Sequence, residues 1–243
     1  MSSFDKQLSV FNVSGHILQL EFASDAVRNC GQTTVALKSE DGVVVITQKK
    51  IHDKLTDPDS IKWQYPITES TAIALTGRLA DCMTVRLMAI QYSVEHLQDY
   101  GYHIPVDTLV TRIADRFQLN SQYVGVRCFI TSVIGYGIDK EKGPLLYHTN
   151  PGAVVHGYNA ISIGIKQHEA TDLLEKAYRE NGLCKTIEEA TELGLHTLQT
   201  AIDAPLIASE LEVGLVTVED PKWRLMDVQA VDALLHEIAE KDL

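Results

Sequence analysis

Long apolar runs are missing from this sequence, and so are clusters of basic residues. No hydrophobic stretch approaches the roughly 20 residues that a membrane-spanning helix needs. Lysine and arginine number 21 against 33 aspartates and glutamates, a formal net charge of −12. A nucleic-acid or membrane-surface binder needs clustered Lys and Arg to displace counterions. None gather here, so neither nucleic acid nor membrane is expected as a partner, and the acidity serves solubility. Cysteine is scarce too. Cys30, Cys82, Cys128 and Cys184 stand far apart with no Cys-x-x-Cys pair, which argues against a zinc site and against a disulfide framework. That usage points to the cytosol, with reduced thiols. The N-terminal Met-Ser-Ser-Phe-Asp has neither a basic stretch nor an apolar one, so no signal peptide is expected.

Catalytic motifs are equally thin. There is no phosphate-binding Gly-x-x-x-x-Gly-Lys loop, and Gly135-Tyr136-Gly137 falls short of a dinucleotide fingerprint. His168-Glu169 and His236-Glu237 lack the second histidine of a zinc-protease helix. Ala160-Ile161-Ser162-Ile163-Gly164 is a near miss of the nucleophile elbow, with Ala where the first Gly must stand. Ser162 is therefore read as a strand serine. Asn12-Val13-Ser14 fits a glycosylation acceptor only by chance in a chain with no secretory signal. The nine histidines are dispersed. No metal and no cofactor is expected.

What is present is pattern. Thr33 to Leu37 leads through Glu40-Asp41-Gly42 into Val43 to Thr47, and Asp-Gly between two β-prone runs is a strong hairpin signal. The second run is apolar on both faces, so its sheet must be covered on both sides. A helix is expected over Leu18 to Asn29, and short strands near Gln64 to Thr68 and Thr71 to Thr76. From Gly77 to about Tyr100 apolar residues recur at Leu79, Met83, Leu87, Ile90, Val94 and Leu97, one helical stripe. A second helix stripes Val106, Leu109, Val110, Ile113 and Phe117, and the pair should lay its shared apolar side on a sheet. Strands follow at Val126 to Ile134, Leu145 to His148, Val154 to Gly157 and Ala160 to Ile165. One further helix ends at Asn181-Gly182, and the next opens with the capping box Thr186…Glu189. A strand from Leu211 to Val218, a shorter one around Trp223 to Met226 and a terminal helix close the chain. Helices come in pairs between short, antiparallel strands, which disfavours a doubly wound parallel sheet. The expected fold is α+β: a four-layer α-β-β-α sandwich, two stacked antiparallel sheets between helix pairs. Residues 32–243 form the sandwich and residues 1–31 a tail and helix outside it.

These residues also carry a resemblance. Phe4-Asp5-Lys6, Phe11, Gly15, Gln19-Leu20-Glu21-Phe22-Ala23, Gly31 with Thr33-Thr34, and Asp41-Gly42-Val43-Val44 resemble the N-terminal signature of α-type subunits of the 20S proteasome. The similarity extends over essentially residues 4 to 241. Within the family it is most similar to the class called alpha type-6, the first α position, through Gln48-Lys49-Lys50, Tyr100-Gly101-Tyr102, Arg112-Ile113-Ala114-Asp115 and Glu212-Val213-Gly214. The resemblance implies an N-terminal nucleophile hydrolase-like sandwich in a seven-membered α ring stacked on a β ring. The barrel degrades proteins, many of them ubiquitin-tagged, in cytoplasm and nucleus. It implies partners in other α subunits, β-ring subunits and activators or the regulatory particle. The N-terminal tails gate substrate entry, the first helix blocks the cleft where a β subunit would be active, and the loop with Tyr100, Tyr102, Ile104 and Pro105 faces the β ring.

The gate residues by this resemblance are Phe4, Asp5, Lys6, Val13 and Phe22. The family pattern there has Tyr-Asp, a Pro and a second Tyr, so both phenol hydroxyls are gone. After Arg127 the family's Pro is Cys128. An active relative would place a freed threonine at the head of the first strand, an Asp at the end of the second and a Lys nearby. Those places fall on Gln32, Gln48 and Trp63, none able to serve. Trp63 also occupies the place of a Lys that captures an activator's carboxylate. The chain is therefore read as catalytically silent; the alternative is an active threonine hydrolase processed at Thr33 or Thr34.

Overall fold

A computed structural model describes residues 11–49, 55–123 and 125–241. The elements follow in the expected order. Helix α1 (Leu18–Arg28) precedes the hairpin β1 (Thr33–Lys38) and β2 (Gly42–Gln48), then β3 (Gln64–Pro66) and β4 (Thr71–Gly77). The pair α2 (Leu79–Tyr100) and α3 (Val106–Gln122) leads to β5 (Thr131–Asp139), β6 (Gly143–Thr149), β7 (Val155–Gly157) and β8 (Ala160–Gly164). Helices α4 (Gln167–Asn181) and α5 (Ile187–Ile202), strands β9 (Leu211–Thr217) and β10 (Arg224–Leu225) and helix α6 (Val228–Lys241) complete the chain.

Two five-stranded antiparallel sheets form, ordered β10-β9-β2-β1-β8 and β3-β4-β5-β6-β7. The doubly apolar β2 shows why they stack. Val44 and Ile46 pack outward with Leu195 and Leu198 of α5, while Val43 and Val45 pack inward against Ala72, Ala74, Ile134 and Tyr136 of the second sheet. The second sheet's outer face, with Ile73 and Leu75, is covered by Leu109, Ile113 and Phe117 of α3 and by Cys82, Val85 and Ala89 of α2. Three apolar layers thus separate four layers of secondary structure, the α-β-β-α sandwich. Each fully buried Val, Leu or Ile contributes about 1.5–3 kcal/mol relative to exposure, so only an arrangement that covers both faces of both sheets satisfies the sequence.

The Thr186 cap of α5 forms, with Thr186 Oγ1 accepting from Glu189 N at 3.3 Å, while the Glu189 carboxylate reaches one residue beyond the cap and accepts from Lys185 N at 3.0 Å. Gly101 closes α2 in the left-handed region at φ 77°, where its lack of a Cβ removes the steric cost.

Two expectations need correction. The stripe Leu79, Leu87, Val94 and Leu97 is exposed, and α2 buries Asp81, Cys82, Val85, Ala89, Ser93 and His96 instead. Small residues on that face let the helix approach the sheet closely, and an ion pair from Asp81 fixes its rotation. The strand expected from Val126 begins only at Thr131. Before it the backbone is claimed by side chains: Asp81 accepts from Ile130 N at 2.8 Å, and Asn120 donates to Arg127 O at 3.4 Å.

Candidate functional site

The cleft where the two sheets meet the first helix is the place to look for chemistry. Helix α1 buries Ala23 and Val27 and rests on β4 and β5 of one sheet and β8 of the other. The Cys128 thiol donates to Gln19 Oε1 at 3.2 Å, tying the segment before β5 to this helix. Behind α1 the chain enters β1 through Gln32.

Gln32 is 3% exposed, and its amide donates to Leu75 O at 3.1 Å and to Thr76 Oγ1 at 3.4 Å. From Thr76 the contacts run on as a chain. Thr34 Oγ1 lies 3.2 Å from Thr76 Oγ1 and donates to Thr47 Oγ1, also at 3.2 Å. The amide of Gln64 donates to Thr47 Oγ1 at 3.2 Å and to the carbonyls of Glu212 and Val45 at 2.9 and 3.0 Å. The Tyr136 hydroxyl donates to Gln64 Oε1 at 2.6 Å and accepts from Trp223 Nε1 at 2.7 Å. Seven side chains from both sheets therefore link Gln32 to Trp223 by hydrogen bonds between neutral groups. Gly214 leaves the space they need, since a Cβ there would stand 2.1 Å from Gln64 Oε1 and 2.5 Å from the Tyr136 hydroxyl.

A nucleophile needs a base within hydrogen-bond reach and an unobstructed approach. Thr34 is fully buried and shares its hydroxyl with two other threonines, while the Thr33 hydroxyl is buried with no partner among the described residues. The buried carboxyl nearest this chain is Glu212. Burial pushes its pKa up, against the backbone N–H donors of Trp63 and Gln64 and the charges of Lys49 and Lys62. Its Oε2 accepts those two N–H groups at 2.8 and 3.2 Å, so it holds β3 against β9, and among the described residues no hydroxyl is hydrogen-bonded to it.

Of the residues singled out in the sequence, Gln32 is buried in this chain, Gln48 is half-buried at the end of β2, and Trp63 is half-buried against the α2–α3 core. Phe4, Asp5 and Lys6 lie outside the described residues. Val13 is 89% exposed, and Phe22 projects into solvent from α1. Asn12, just before Val13, accepts at Oδ1 from Ser14 N at 3.0 Å and His16 N at 2.8 Å, forming the turn that enters the helix. Tyr100 and Tyr102 are exposed, but Ile104 is only 1% exposed and Pro105 half-buried. Ile104 faces the core, so its side chain offers a partner no surface. The sequence reading missed Gln64, Tyr136, Trp223 and the threonines at 47 and 76. For Thr47, Thr76 and Tyr136 the signal was a hydrogen-bonding group within a largely apolar strand; Trp223 precedes its strand and gave none.

No group of three or more His, Cys, Asp or Glu able to hold a metal occurs among the described residues. No helix among them is long and apolar enough to cross a membrane.

A four-layer sandwich whose cleft is filled by a leading helix and a neutral hydrogen-bond chain defines the class. The chain belongs to the proteasome subunit family, whose model matches residues 29–216. It is 32% identical to the probable proteasome subunit alpha type-1 of Schizosaccharomyces pombe over 98% of both chains. It is also 32% identical to a proteasome subunit alpha of Methanosarcina mazei, covering 98% of this chain and 94% of that protein. Identity to proteasome subunit alpha type-6 of Caenorhabditis elegans is 29%, over 99% of this chain and 98% of that one.

Proposed function

We propose that this chain is a non-catalytic α-ring subunit of the 20S proteasome core particle, working in ring assembly, substrate-entry gating and activator docking during ubiquitin-dependent protein degradation in cytoplasm and nucleus. The observation that carries the reading is Gln32. An amide anchored to Leu75 O and Thr76 Oγ1 stands where a hydrolytic relative would present its freed threonine. Gln48 and Trp63 take the places of the acidic and basic helpers. Residues 1–31 are the gate tail and outer helix, with Phe4, Asp5, Lys6, Val13 and Phe22 as its distinctive positions, and residues 32–243 are the sandwich that builds the ring.

A second observation supports assembly. Leu79, Leu87, Val94 and Leu97 of α2, with Tyr100 and Tyr102 beyond it, are between 40% and 66% exposed. An apolar stripe of this extent on a soluble chain marks a protein-binding face, and the β-ring subunit beneath is the proposed partner. The alternative, processing at Thr33 or Thr34, would place a buried hydroxyl from the start of β1 at a new N-terminus. Intact mass and an epoxyketone probe separate the two. Co-expressed with α and β partners, the chain is expected in the particle at full-length mass and free of adduct. A mass beginning at residue 33 or 34, or an adduct on this chain, overturns the proposal.

A further inference from the structure

Helix α1 has little of its own to hold it. It spans 11 residues, buries only Ala23 and Val27, and its N-cap position, Ile17, makes no side-chain cap bond. A helix shorter than about 12–15 residues is marginal in water without tertiary contacts. Among the described residues one side-chain hydrogen bond joins α1 to the sandwich, from the Cys128 thiol to Gln19 Oε1 at 3.2 Å. Gln19 lies in the first turn, where an uncapped helix frays first. Cys128 is 2% exposed, which keeps bulk solvent from competing for the bond. Its backbone is held on both sides by one carboxylate. Asp81, at the start of α2, accepts from both terminal nitrogens of Arg127 and from Ile130 N. Arg127 also donates to Cys128 O at 2.9 Å, and Arg78 N, just ahead of α2, donates to Ile130 O at 2.8 Å. The segment around Cys128 is thus stitched to the N-terminus of α2, and the direction of the thiol is fixed with it.

We propose that α1 is a strap across the cleft, latched at Gln19 by Cys128, and that Asp81 and Arg127 are the positioning residues that hold the latch in place. With the latch lost, only Ala23 and Val27 keep α1 on β4, β5 and β8. Loosening the clamp therefore frees α1 before it frees the sheets, and opens the way to Gln32 while the sandwich stays folded. The latch is a property of the chain alone and does not depend on the ring reading.

Hydrogen exchange on the full chain tests this, comparing the α1 amides from Phe22 to Val27 with those of Val44 and Ile46 in the central strand β2, which report global opening. In the unsubstituted chain α1 should be less protected than β2, as a unit that opens locally. Cys128→Ala should speed α1 exchange by about two- to fivefold, the low end for one hydrogen bond because a thiol is a weak donor. Cys128→Ser keeps a donor and should restore the slower rate. Arg127→Ala should also speed α1, yet add less than about twofold in the Cys128→Ala background, because both changes act through one latch. Arg127→Lys, which keeps the charge and loses the two-pronged grip, replaces the alanine variant if that one does not fold. Equal protection of α1 and β2 in the unsubstituted chain overturns the strap. So does an α1 rate unmoved by Cys128→Ala, a serine variant that behaves as the alanine one, or full additivity in the double variant.

Discussion

Replacing Arg127 with alanine should destabilise the chain by about 3 kcal/mol, and the cost should depend on pH in a defined direction. Arg127 grips Asp81 with both terminal nitrogens, at 2.6 and 2.5 Å, and Asp81 also accepts from Ile130 N at 2.8 Å. The Asp81 side chain is 5% exposed and that of Arg127 51%. Removing the guanidinium therefore strands a buried carboxylate, which costs about 3–5 kcal/mol when the partner is buried as well. Solvent reaches Arg127 and the Ile130 bond survives, so the lower end applies. For a chain of this length that is a fall of about 6–12 °C in Tm.

Burial pushes the Asp81 pKa up, but the hydrogen bonds from Arg127 and Ile130, with the charges of Arg127 and Arg78, outweigh it and hold the carboxyl below its usual range. A group depressed in the folded state adds stability above its unfolded pKa, about 3.9 for aspartate, and loses that contribution as pH falls through the folded value. The gap between unsubstituted chain and Arg127→Ala should therefore be full at neutral pH and narrow below about pH 4. Urea unfolding of both chains from pH 7 to pH 3.5 measures it. A cost under about 0.5 kcal/mol, the scale of an ordinary surface change, or a gap that widens in acid, would refute the clamp.

Three more tests address the interior. Tyr136→Phe removes the bond to Gln64 Oε1 and leaves Trp223 Nε1 without its acceptor, a loss of about 2–3 kcal/mol by chemical denaturation; a neutral result would mean the chain of neutral groups is incidental. Gly214→Ala drives a methyl to within 2.1 Å of Gln64 Oε1, and should cost as much or more, with perturbed Trp223 fluorescence as its local signature. Burial, with the charge of His156, lowers the His148 pKa to about 4. A histidine buried neutral supports folding above its unfolded pKa of about 6.5 and loses that support as pH falls to its folded value. His148→Gln should thus flatten the stability profile between about pH 6.5 and pH 4, and an unchanged slope would remove His148 from that account.

The layers were legible because burial on both sides leaves its mark in composition. Val43 to Ile46 has no polar face, so a sheet covered above and below was the only arrangement that hid it. Helix ends were legible where the capping residue declares itself locally, as with the Thr186 hydroxyl and with Gly182, whose missing Cβ permits the positive φ. The cleft was legible in part. That Gln32 cannot attack anything follows from its amide, but what the amide does instead depends on Leu75 and Thr76, more than forty positions away. No local pattern announces such a partner. Glu212 bonding Trp63 N and Gln64 N is equally distant in sequence, and a lone Glu heading a strand gives no hint of it.

The misread face of α2 carries a different lesson. Periodicity detects an apolar stripe but says nothing of what covers it, and this helix has two. One is made of small or short side chains, Cys82, Val85, Ala89 and Ser93, and it is the one that reaches the core. The other is made of leucines and a valine, and stays outside. In a self-sufficient monomer the larger residues would go inward, since each contributes more on burial. The inversion is stable here because the Asp81–Arg127 clamp fixes the rotation of α2 and because small residues let it lie close to the sheet. A chain that spends its best apolar surface outside its own core is folded for a partner. The stripe, more than any motif, makes solitary life the poorer reading. Polar replacement of Leu87 and Val94 should accordingly leave the unfolding free energy of the isolated chain within about 0.5 kcal/mol of unchanged, as surface positions do, while abolishing its capture into the particle. A large loss of monomer stability would show that these residues serve the fold and not the interface.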